Sequence, residues 1–462
     1  MPYSQVVKIF ATTQAPDYAC PWQAQPPASA TGSGVIIGPR QILTGAHVVA
    51  NATFLQIQKI STPDKVIARV AAVCHDADLA LLEIEDENFT QDIEPAELGG
   101  LPALGDTVTV IGFPVGGEEV SMTEGVVSRI EVQKYDHSRR WLLAATVDAA
   151  INEGNSGGPV FMDDEVVGIA FQTLRDAENV GEIVPTSIIR RFLEGIEQGR
   201  SPNIPGLGVT TQTLENPLLR RELGIAEDQS GLLVSQVEFG GSSSGHLRSG
   251  DILLRLGGHR LANNGTIQYR DLFRTRFDVA LSDYFIDDEL EVEVLREGSI
   301  EKLNFPLKKR QYLAPRSQYD IRPTYFIYGG LVFQPLSRNY LETWDSWWEK
   351  APSEFLFLYR AGVRSEARQQ IICLDQVLAD ELNVGYEGCD NATIKSVNDI
   401  EPRDMSHFAS ILESAEGVVH IRTSDEVSIM LDTREVKEGA ERVLNRYQIP
   451  CDRSANLADV ES

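Results

Sequence analysis

From Gln5 to about Val184 the apolar residues fall into short runs, at 35–37, 54–57, 66–73, 79–84, 107–111, 126–132, 142–147 and 166–171, each closed by turn-forming residues. Runs of this length with no sustained helical period predict strands, and about a dozen in succession predict antiparallel barrels or a sandwich. The first clear helical period follows them: Thr186 can cap it, Ile188, Ile189, Phe192, Leu193 and Ile196 recur at helical spacing, and Gly199 stops it. Residues 201–206, Ser-Pro-Asn-Ile-Pro-Gly, oppose both helix and central strand and predict a linker. Beyond it the pattern is mixed. Strand-like runs at 231–237, 251–256, 290–295 and 303–307 alternate with short helical pieces, and the style repeats loosely at 330–333, 370–374 and 418–421. A helical run at 435–447 precedes a polar end expected to fray.

The length of 462 residues suits about three domains, and 42% apolar with 24% charged residues places the chain among globular proteins. A formal charge of −27 argues against nucleic acid and anionic membrane surfaces as main partners and favours solubility. The five cysteines, Cys20, Cys74, Cys373, Cys389 and Cys451, form no CxxC pair and no metal-ligand spacing, so free thiols and no metal are expected. No run approaches 18 apolar residues, so no transmembrane segment is expected. The first eight residues lack the profile of a secretory signal. The compartment stays open: periplasmic if a leader was removed from a bacterial protein, otherwise a soluble intracellular or organelle compartment.

The segment from Asp148 to Val160 carries the most chemistry. In Gly154-Asn155-Ser156-Gly157-Gly158-Pro159, glycines around one serine let the backbone turn tightly, so that several N–H groups can face one spot beside the hydroxyl. Acyl transfer needs that arrangement, together with a base for the serine proton. Two further segments supply partners, Thr44-Gly45-Ala46-His47-Val48-Val49 and, 31 residues after His47, Asp78-Leu79-Ala80-Leu81-Leu82. His, Asp and Ser in this order, within these three motifs, resemble the Deg/HtrA serine proteases.

The resemblance implies that Ser156 is the nucleophile, His47 the general base, and Asp78 the group that holds the imidazole tautomer. It implies an oxyanion hole from the N–H groups of Gly154, Asn155 and Ser156. The competing Asp76 is expected to be a turn residue, and a metal site at Cys74 and His75 lacks further ligands nearby. Ala150, six positions before the nucleophile, falls at the base of the specificity pocket of such a protease, and Ile169, Ala170 and Phe171 at its wall. None is charged, so a small or medium apolar residue is expected before the scissile bond. Loops 114–123, 135–140 and 174–182 are the regulatory candidates, with Arg139 and Arg140 either a solvated turn or part of a sensor. Family members assemble as trimers, for which Phe10, Tyr18 and Trp22 are candidates beside plain core packing.

After the linker, Gly206-Leu207-Gly208-Val209, the run from Gly231 to Val237 and Leu247-Arg248-Ser249-Gly250-Asp251-Ile252-Leu253 resemble a PDZ domain. Gly206, Leu207, Gly208 and Val209 would then receive a peptide's end, although residues 263–283 depart from the shortest PDZ pattern. Residues 325–333 and 377–386 resemble the degenerate second PDZ of plant-type Deg proteases, with assembly and spacing as its role. Trp344, Trp347 and Trp348 there suggest core or interface burial.

The expected fold is mostly β: a chymotrypsin-like double β-barrel protease domain (1–200), then two α+β PDZ-like domains (201–310 and 311–436) and a C-terminal helix and tail (437–462). The expected function is a serine endopeptidase acting on unfolded or damaged protein. No Walker-type segment is present to couple ATP, and no cofactor is implied. The partners are unfolded protein or peptide substrates and further copies in a trimer or its multiples. The alternative is a chaperone or peptide-binding scaffold whose protease domain is held inactive.

Overall fold

The computed structural model describes residues 3–114, 119–149, 151, 154–173, 180–270 and 273–458. Strands β1 (Val6–Thr13), β2 (Ala28–Gly38), β3 (Gln41–Thr44), β4 (Ala52–Lys59), β5 (Lys65–Cys74) and β6 (Leu79–Ile84) close a barrel in the order β1-β2-β3-β6-β5-β4. A second barrel is built from β7 (Thr107–Gly112), β8 (Ser121–Lys134), β9 (Trp141–Val147), β10 (Pro159–Met162), β11 (Glu165–Thr173) and β12 (Gly181–Pro185), in the order β10-β11-β12-β9-β8-β7. Closure removes the exposed strand edges that an open sheet would have to protect.

Side-chain alternation sets the cores. Val7, Ile9 and Ala11 of β1 join Ile36, Leu55, Ile57 and Leu82 inside the first barrel. Val108, Val110, Ala145, Val160 and Ile183 fill the second. Leu43, Leu79, Ile111, Leu143 and Phe161, all buried, pack in a further cluster that draws on both barrels. Each such side chain is worth roughly 1.5–3 kcal/mol of burial, so the faces that meet between the barrels are fixed by the same alternation that fills them.

Two features of this domain escape the apolar pattern. The run at 35–37 is the buried end of an eleven-residue strand, whose other half is Ala, Ser, Thr and Gly without a hydrophobic signal. The helix Thr186–Glu197 follows the spacing of its apolar residues, but Pro185 is the capping position and no side chain caps it. Thr186 is the first helical residue, and its hydroxyl donates to the Gly100 carbonyl at 3.1 Å.

The chain divides into two compact units. The first comprises Met1–Gln14, Pro27–Val237 and Gly241–Arg310, so the barrels and the mixed module after the linker share one body. That module has a sheet ordered Val209–Thr213, Leu232–Val237, Ile252–Leu256, Glu289–Arg296 and Ser299–Pro306. Within 263–283 the chain forms a hairpin, Thr266–Tyr269 with Phe273–Arg276, and a 3₁₀ turn, Phe277–Asp283. The hairpin reaches the second barrel. Thr275 Oγ1 accepts the Val132 N–H of β8 at 3.1 Å, and the Arg276 guanidinium lies 4.5 Å from the Trp141 ring of β9.

The second unit comprises Ala15–Pro26, Glu238–Gly240 and Gln311–Ser462. Its sheet runs Phe326–Tyr328, Leu331–Pro335, Ile372–Val377, Ala392–Val397, Val418–Thr423 and Ser428–Asp432 in sequence order. Helices Ser353–Ala361, Met405–Ser414 and Thr433–Tyr447 belong to the same unit. Tyr18 is buried with Leu336, Tyr340 and Phe355, and Trp22 meets Tyr325 edge-on at 6.0 Å. Phe10 lies on β1 with Lys65 Nζ 3.4 Å from its ring centre. Trp344 and Trp347 pack against the Tyr340 and Tyr359 cluster, whereas Trp348 is exposed. The polar end does not fray before Ala458. The Ile327 N–H donates to Asp452 and the Ser454 N–H donates to Tyr325, so backbone pairing holds the segment after the last long helix. Among the described residues no helix is long and apolar enough to cross a membrane.

Candidate active site

His47 sits on the four-residue helix Ala46–Val49 that follows β3, with Ala46, Val48 and Val49 buried and His47 itself half-buried. Asp78 ends the turn between β5 and β6 and is 1% exposed. Its backbone takes the left-handed conformation, φ 54°, which aspartate tolerates better than most residues. There Asp78 grips His47 twice: Oδ1 accepts the His47 backbone N–H at 2.8 Å, and Oδ2 faces Nδ1 at 2.7 Å. An ionised carboxylate can only accept, so Nδ1 carries the proton and Nε2 is left with its lone pair. Nε2 is buried and has no hydrogen-bond partner among the described residues, which leaves it open to take a proton.

Burial alone would push the His47 pKa down. The charge of Asp78 and its hydrogen bond together outweigh that and hold it above the ordinary 6.5. For Asp78 burial works toward a higher value. The charges of His47 and His137, with the bonds from His47, outweigh it and keep the carboxyl below its ordinary range.

Ser156 lies in the turn before β10, and the first barrel holds that turn. Ser33 of β2, fully buried, donates its hydroxyl to the Gly154 carbonyl at 2.7 Å and accepts the Phe113 N–H at 2.8 Å. The Ser33 N–H donates to the Ser156 carbonyl at 3.0 Å, and the Ser33 carbonyl accepts the Thr44 hydroxyl at 2.7 Å. The second barrel adds Gly157 N–H to the Ala170 carbonyl, 2.7 Å, and Ala170 N–H to the Gly158 carbonyl, 2.9 Å. Gly157 has φ 79°, and a Cβ there would collide with Thr44 Oγ1 and the Ser33 carbonyl, so only glycine fits. A Cβ on Gly45 would lie 2.8 Å from the His47 ring and 3.6 Å from the Gly157 α-carbon. The serine turn and the imidazole therefore flank the same point of the chain. Gly154, Asn155 and Ser156 are consecutive in the turn, with Asn155 fully buried and its amide nitrogen and oxygen unpartnered among the described residues.

Of the pocket residues, Ala150 lies outside the described residues. Ile169, Ala170 and Phe171 are consecutive on β11, so their side chains alternate. Ala170 joins the interior of the second barrel with Ala149 and Ile151, whereas Ile169 and Phe171 join the cluster containing Tyr135. The Phe171 ring packs at a tilt against Tyr135, with centroids 4.2 Å apart. Of the loops named as regulatory candidates, 115–118 and 174–179 lie outside the described residues. In the sheet of the mixed module after the linker, Val209 begins an edge strand and Leu207 is buried. The Gly206 carbonyl accepts Ser242 Oγ at 2.6 Å and the Leu207 carbonyl accepts Ser243 Oγ at 2.6 Å, while Gly208 takes φ 76°.

Loop 135–140 is no solvated turn. Arg140 donates to the Ile204 and Pro205 carbonyls at 3.2 and 2.7 Å and lies 3.4 Å from Asp76, which itself accepts the Ile204 N–H at 3.1 Å. Arg139 pairs with Asp136 at 2.9 Å. The Asp136 N–H donates to Gln172 Oε1 at 2.7 Å, and the Gln172 amide donates to buried Glu182. Burial raises the Glu182 pKa, and the Gln172 bond only partly offsets it. His137, on the same loop, packs its ring 6.3 Å from that of His47. Ser33 escaped the sequence reading altogether, while Gln172, Glu182 and His137 fall in or beside segments it named without being singled out. For Ser33 the available signal was a small polar residue between Gly32 and Gly34, too common to stand out.

Residues 32–169 match the trypsin-like peptidase domain and residues 314–456 the PDZ domain. Protease Do-like 2, chloroplastic, of Arabidopsis thaliana is 37% identical over 459 residues, 98% of this chain and 75% of the relative. Putative protease Do-like 3, mitochondrial, of the same organism is 34% identical over 456 residues, 98% of this chain and 80% of the relative. Among solved structures, HtrA-type protease AlgW with decapeptide superposes with a TM-score of 0.51 at 23% identity, covering 67% of this chain and 96% of that one. Two closed barrels, a serine turn beside an Asp-held imidazole and relatives that align over nearly the whole length lead to one conclusion: the chain belongs to the Deg/HtrA family and is a serine endopeptidase.

Proposed function

We propose that Ser156, His47 and Asp78 form the triad of an endopeptidase that degrades unfolded or damaged protein without ATP. The observation that carries this is the double grip of Asp78 on His47, at 2.8 and 2.7 Å, beside the Ser156 turn. In the proposed reaction, Nε2 takes the proton of the Ser156 hydroxyl as its oxygen attacks the peptide carbonyl. Nε2 then returns the proton to the leaving amine. N–H groups of Gly154, Asn155 and Ser156 receive the oxyanion. Ala150, with Ile169, Ala170 and Phe171, shapes an uncharged pocket that favours a small or medium apolar residue before the cleaved bond. The strand beginning at Val209, with Gly206, Leu207 and Gly208, takes a peptide end by strand addition. That an HtrA-type neighbour was solved with a decapeptide supports peptide recognition here. The assembly proposed is a trimer or a multiple of trimers.

A digest of casein by the full chain, beside labelling by an active-site-directed fluorophosphonate, tests this. Ser156→Ala is expected to lose both, with turnover down by about 10⁴ to 10⁶. Retained cleavage in that variant would misassign the nucleophile. A peptide library cut mainly after Lys or Arg would refute the pocket. The second proposal is a peptide-binding scaffold with a locked protease domain, in which Ser156 does not bond to His47 Nε2, as in this conformation, where Nε2 has no partner among the described residues. Wild-type protein that binds loosened casein yet takes no fluorophosphonate at any pH would establish it.

A further inference from the structure

The mixed module after the linker carries a cavity of about 440 Å³, walled by Ser230, His259, Arg260, Leu261, Gln268 and Arg274. It forms where the tight turn at Gly257 and Gly258, with φ 54° and 83°, brings His259–Arg260 back along Ile252–Leu256. Its other side is the hairpin of Thr266–Tyr269 with Phe273–Arg276, in which Gln268 and Arg274 stand opposite each other, so their side chains share one face. His259 joins the two pieces. Its Nδ1 donates to the Gln268 carbonyl at 3.2 Å, a contact in which only the ring can be the donor. No carboxylate lines the cavity among the described residues.

Such a lining stands out in a chain with a formal charge of −27. Other arginines of the module are neutralised: Arg255 by Glu293 at 3.9 Å, Arg270 by Asp283 at 3.0 Å and Arg276 by Asp278 at 3.0 Å. Arg260 donates instead to the Asp228 carbonyl and Arg274 to Thr266 Oγ1 at 3.2 Å, and neither meets a carboxylate within ion-pair distance among the described residues. Those bonds hold the two guanidiniums and leave each with further N–H groups to offer. Two unmatched cations on the wall of one cavity favour an occupant with two negative charges. Remote acidic residues oppose it little, since salt at physiological strength screens exposed charges beyond roughly 8 Å.

We propose that this cavity binds a small hydroxylated phosphate monoester, its phosphate gripped by Arg260 and Arg274. A phosphate monoester carries about −1.5 to −2 near pH 7 with three acceptor oxygens, which suits two guanidiniums where a single carboxylate would leave one unmatched. The volume falls within the roughly 300–1,000 Å³ of small-molecule sites and exceeds what bare phosphate fills, so there is room for an organic group. Leu261 gives that group an apolar surface. Ser230 Oγ donates to the Leu261 carbonyl at 2.7 Å, which leaves its oxygen to accept from a hydroxyl, and the Gln268 amide can donate or accept. An occupant ties the Arg260 strand to the hairpin that reaches Val132 and Trp141 of the second barrel, so it should stabilise the first unit.

Calorimetric titration and thermal unfolding of the full chain test this with glycerol 3-phosphate, inorganic phosphate, glycerol and succinate, all at matched ionic strength. Glycerol 3-phosphate is expected to bind saturably, to raise Tm, and to bind more tightly than inorganic phosphate. Arg260→Gln and Arg274→Gln should each weaken it by about tenfold or more, as the loss of a charge-assisted bond predicts. Arg434→Gln, which removes an exposed guanidinium from the second unit, should change it by less than about twofold. Arg274→Lys should recover part of the loss, since it keeps the charge without the planar fork. The proposal is overturned by a wild type without saturable binding, by inorganic phosphate or succinate binding as tightly as the monoester, or by affinity retained in both glutamine variants. Circular dichroism and the Tm without ligand report the fold of each variant, and the comparison of ligands on the wild type decides independently of them.

Discussion

The two barrels contribute to the site by different means. The first positions its groups by itself: His47 and Asp78 both belong to it, and the two bonds that orient the imidazole never leave it. The second barrel carries Ser156 on a turn that it only half controls. The Gly154 and Ser156 carbonyls are held by Ser33, and the position of Gly157 is dictated by Ser33 and Thr44, all from the first barrel. The proposed base is thus set within one barrel, whereas the proposed nucleophile and the N–H donors around it depend on how the barrels meet. On this reading a small shift between the barrels would disturb the proposed oxyanion site while the His–Asp couple stays intact.

Breaking the self-contained half should cost most. Asp78→Ala removes both bonds to His47, and a loss in kcat on the order of 10⁴ is expected, measured on a chromogenic peptide. Breaking the shared half should cost less and look different. Ser33→Ala strips a donor from the Gly154 carbonyl and an acceptor from the Phe113 N–H, each left buried at about 1–3 kcal/mol. The expected result is a lower Tm and kcat reduced by about 10- to 100-fold, because the turn shifts under the oxyanion. Should Ser33→Ala lower Tm and leave kcat untouched, the serine turn does not depend on the first barrel, and the contrast between the halves disappears.

Much of this was legible because each signal was local. Thr44 to Val49, Asp78 to Leu82 and Gly154 to Pro159 are contiguous motifs, and each keeps its residues within one turn of chain. The barrels followed from short Val-, Ile- and Leu-rich runs. What escaped is long-range. Ser33 meets Gly154 across 121 positions, and His75 meets His137 across 62, with no periodicity to announce either pairing. Arg139 and Arg140 looked like two cations in a turn, since a guanidinium's partners, here the Ile204 and Pro205 carbonyls, cannot be read from its own neighbours. Tyr18 and Trp22 were candidates for subunit contact. Core packing was the other reading given for them, and both pack within the second unit, to which the twelve residues Ala15–Pro26 belong, an excursion from the first barrel that no local pattern encodes.

The smallest effect separates the two halves most cleanly. His47 must be neutral to act as base, and its pKa is held above 6.5 by the Asp78 charge and bond working against burial. Labelling by fluorophosphonate should therefore decline as pH falls through a midpoint above 6.5, tenfold per unit once His47 is mostly protonated. Asp78→Asn removes the charge but keeps the burial, so the remaining influence lowers the imidazole pKa. The midpoint should move down in pH even as the plateau rate falls. Ser33→Ala touches neither the charge nor the bond, and its midpoint should stay at the wild-type value while only the plateau drops. A midpoint that moves with Ser33→Ala would mean that the base, too, is set by the meeting of the barrels.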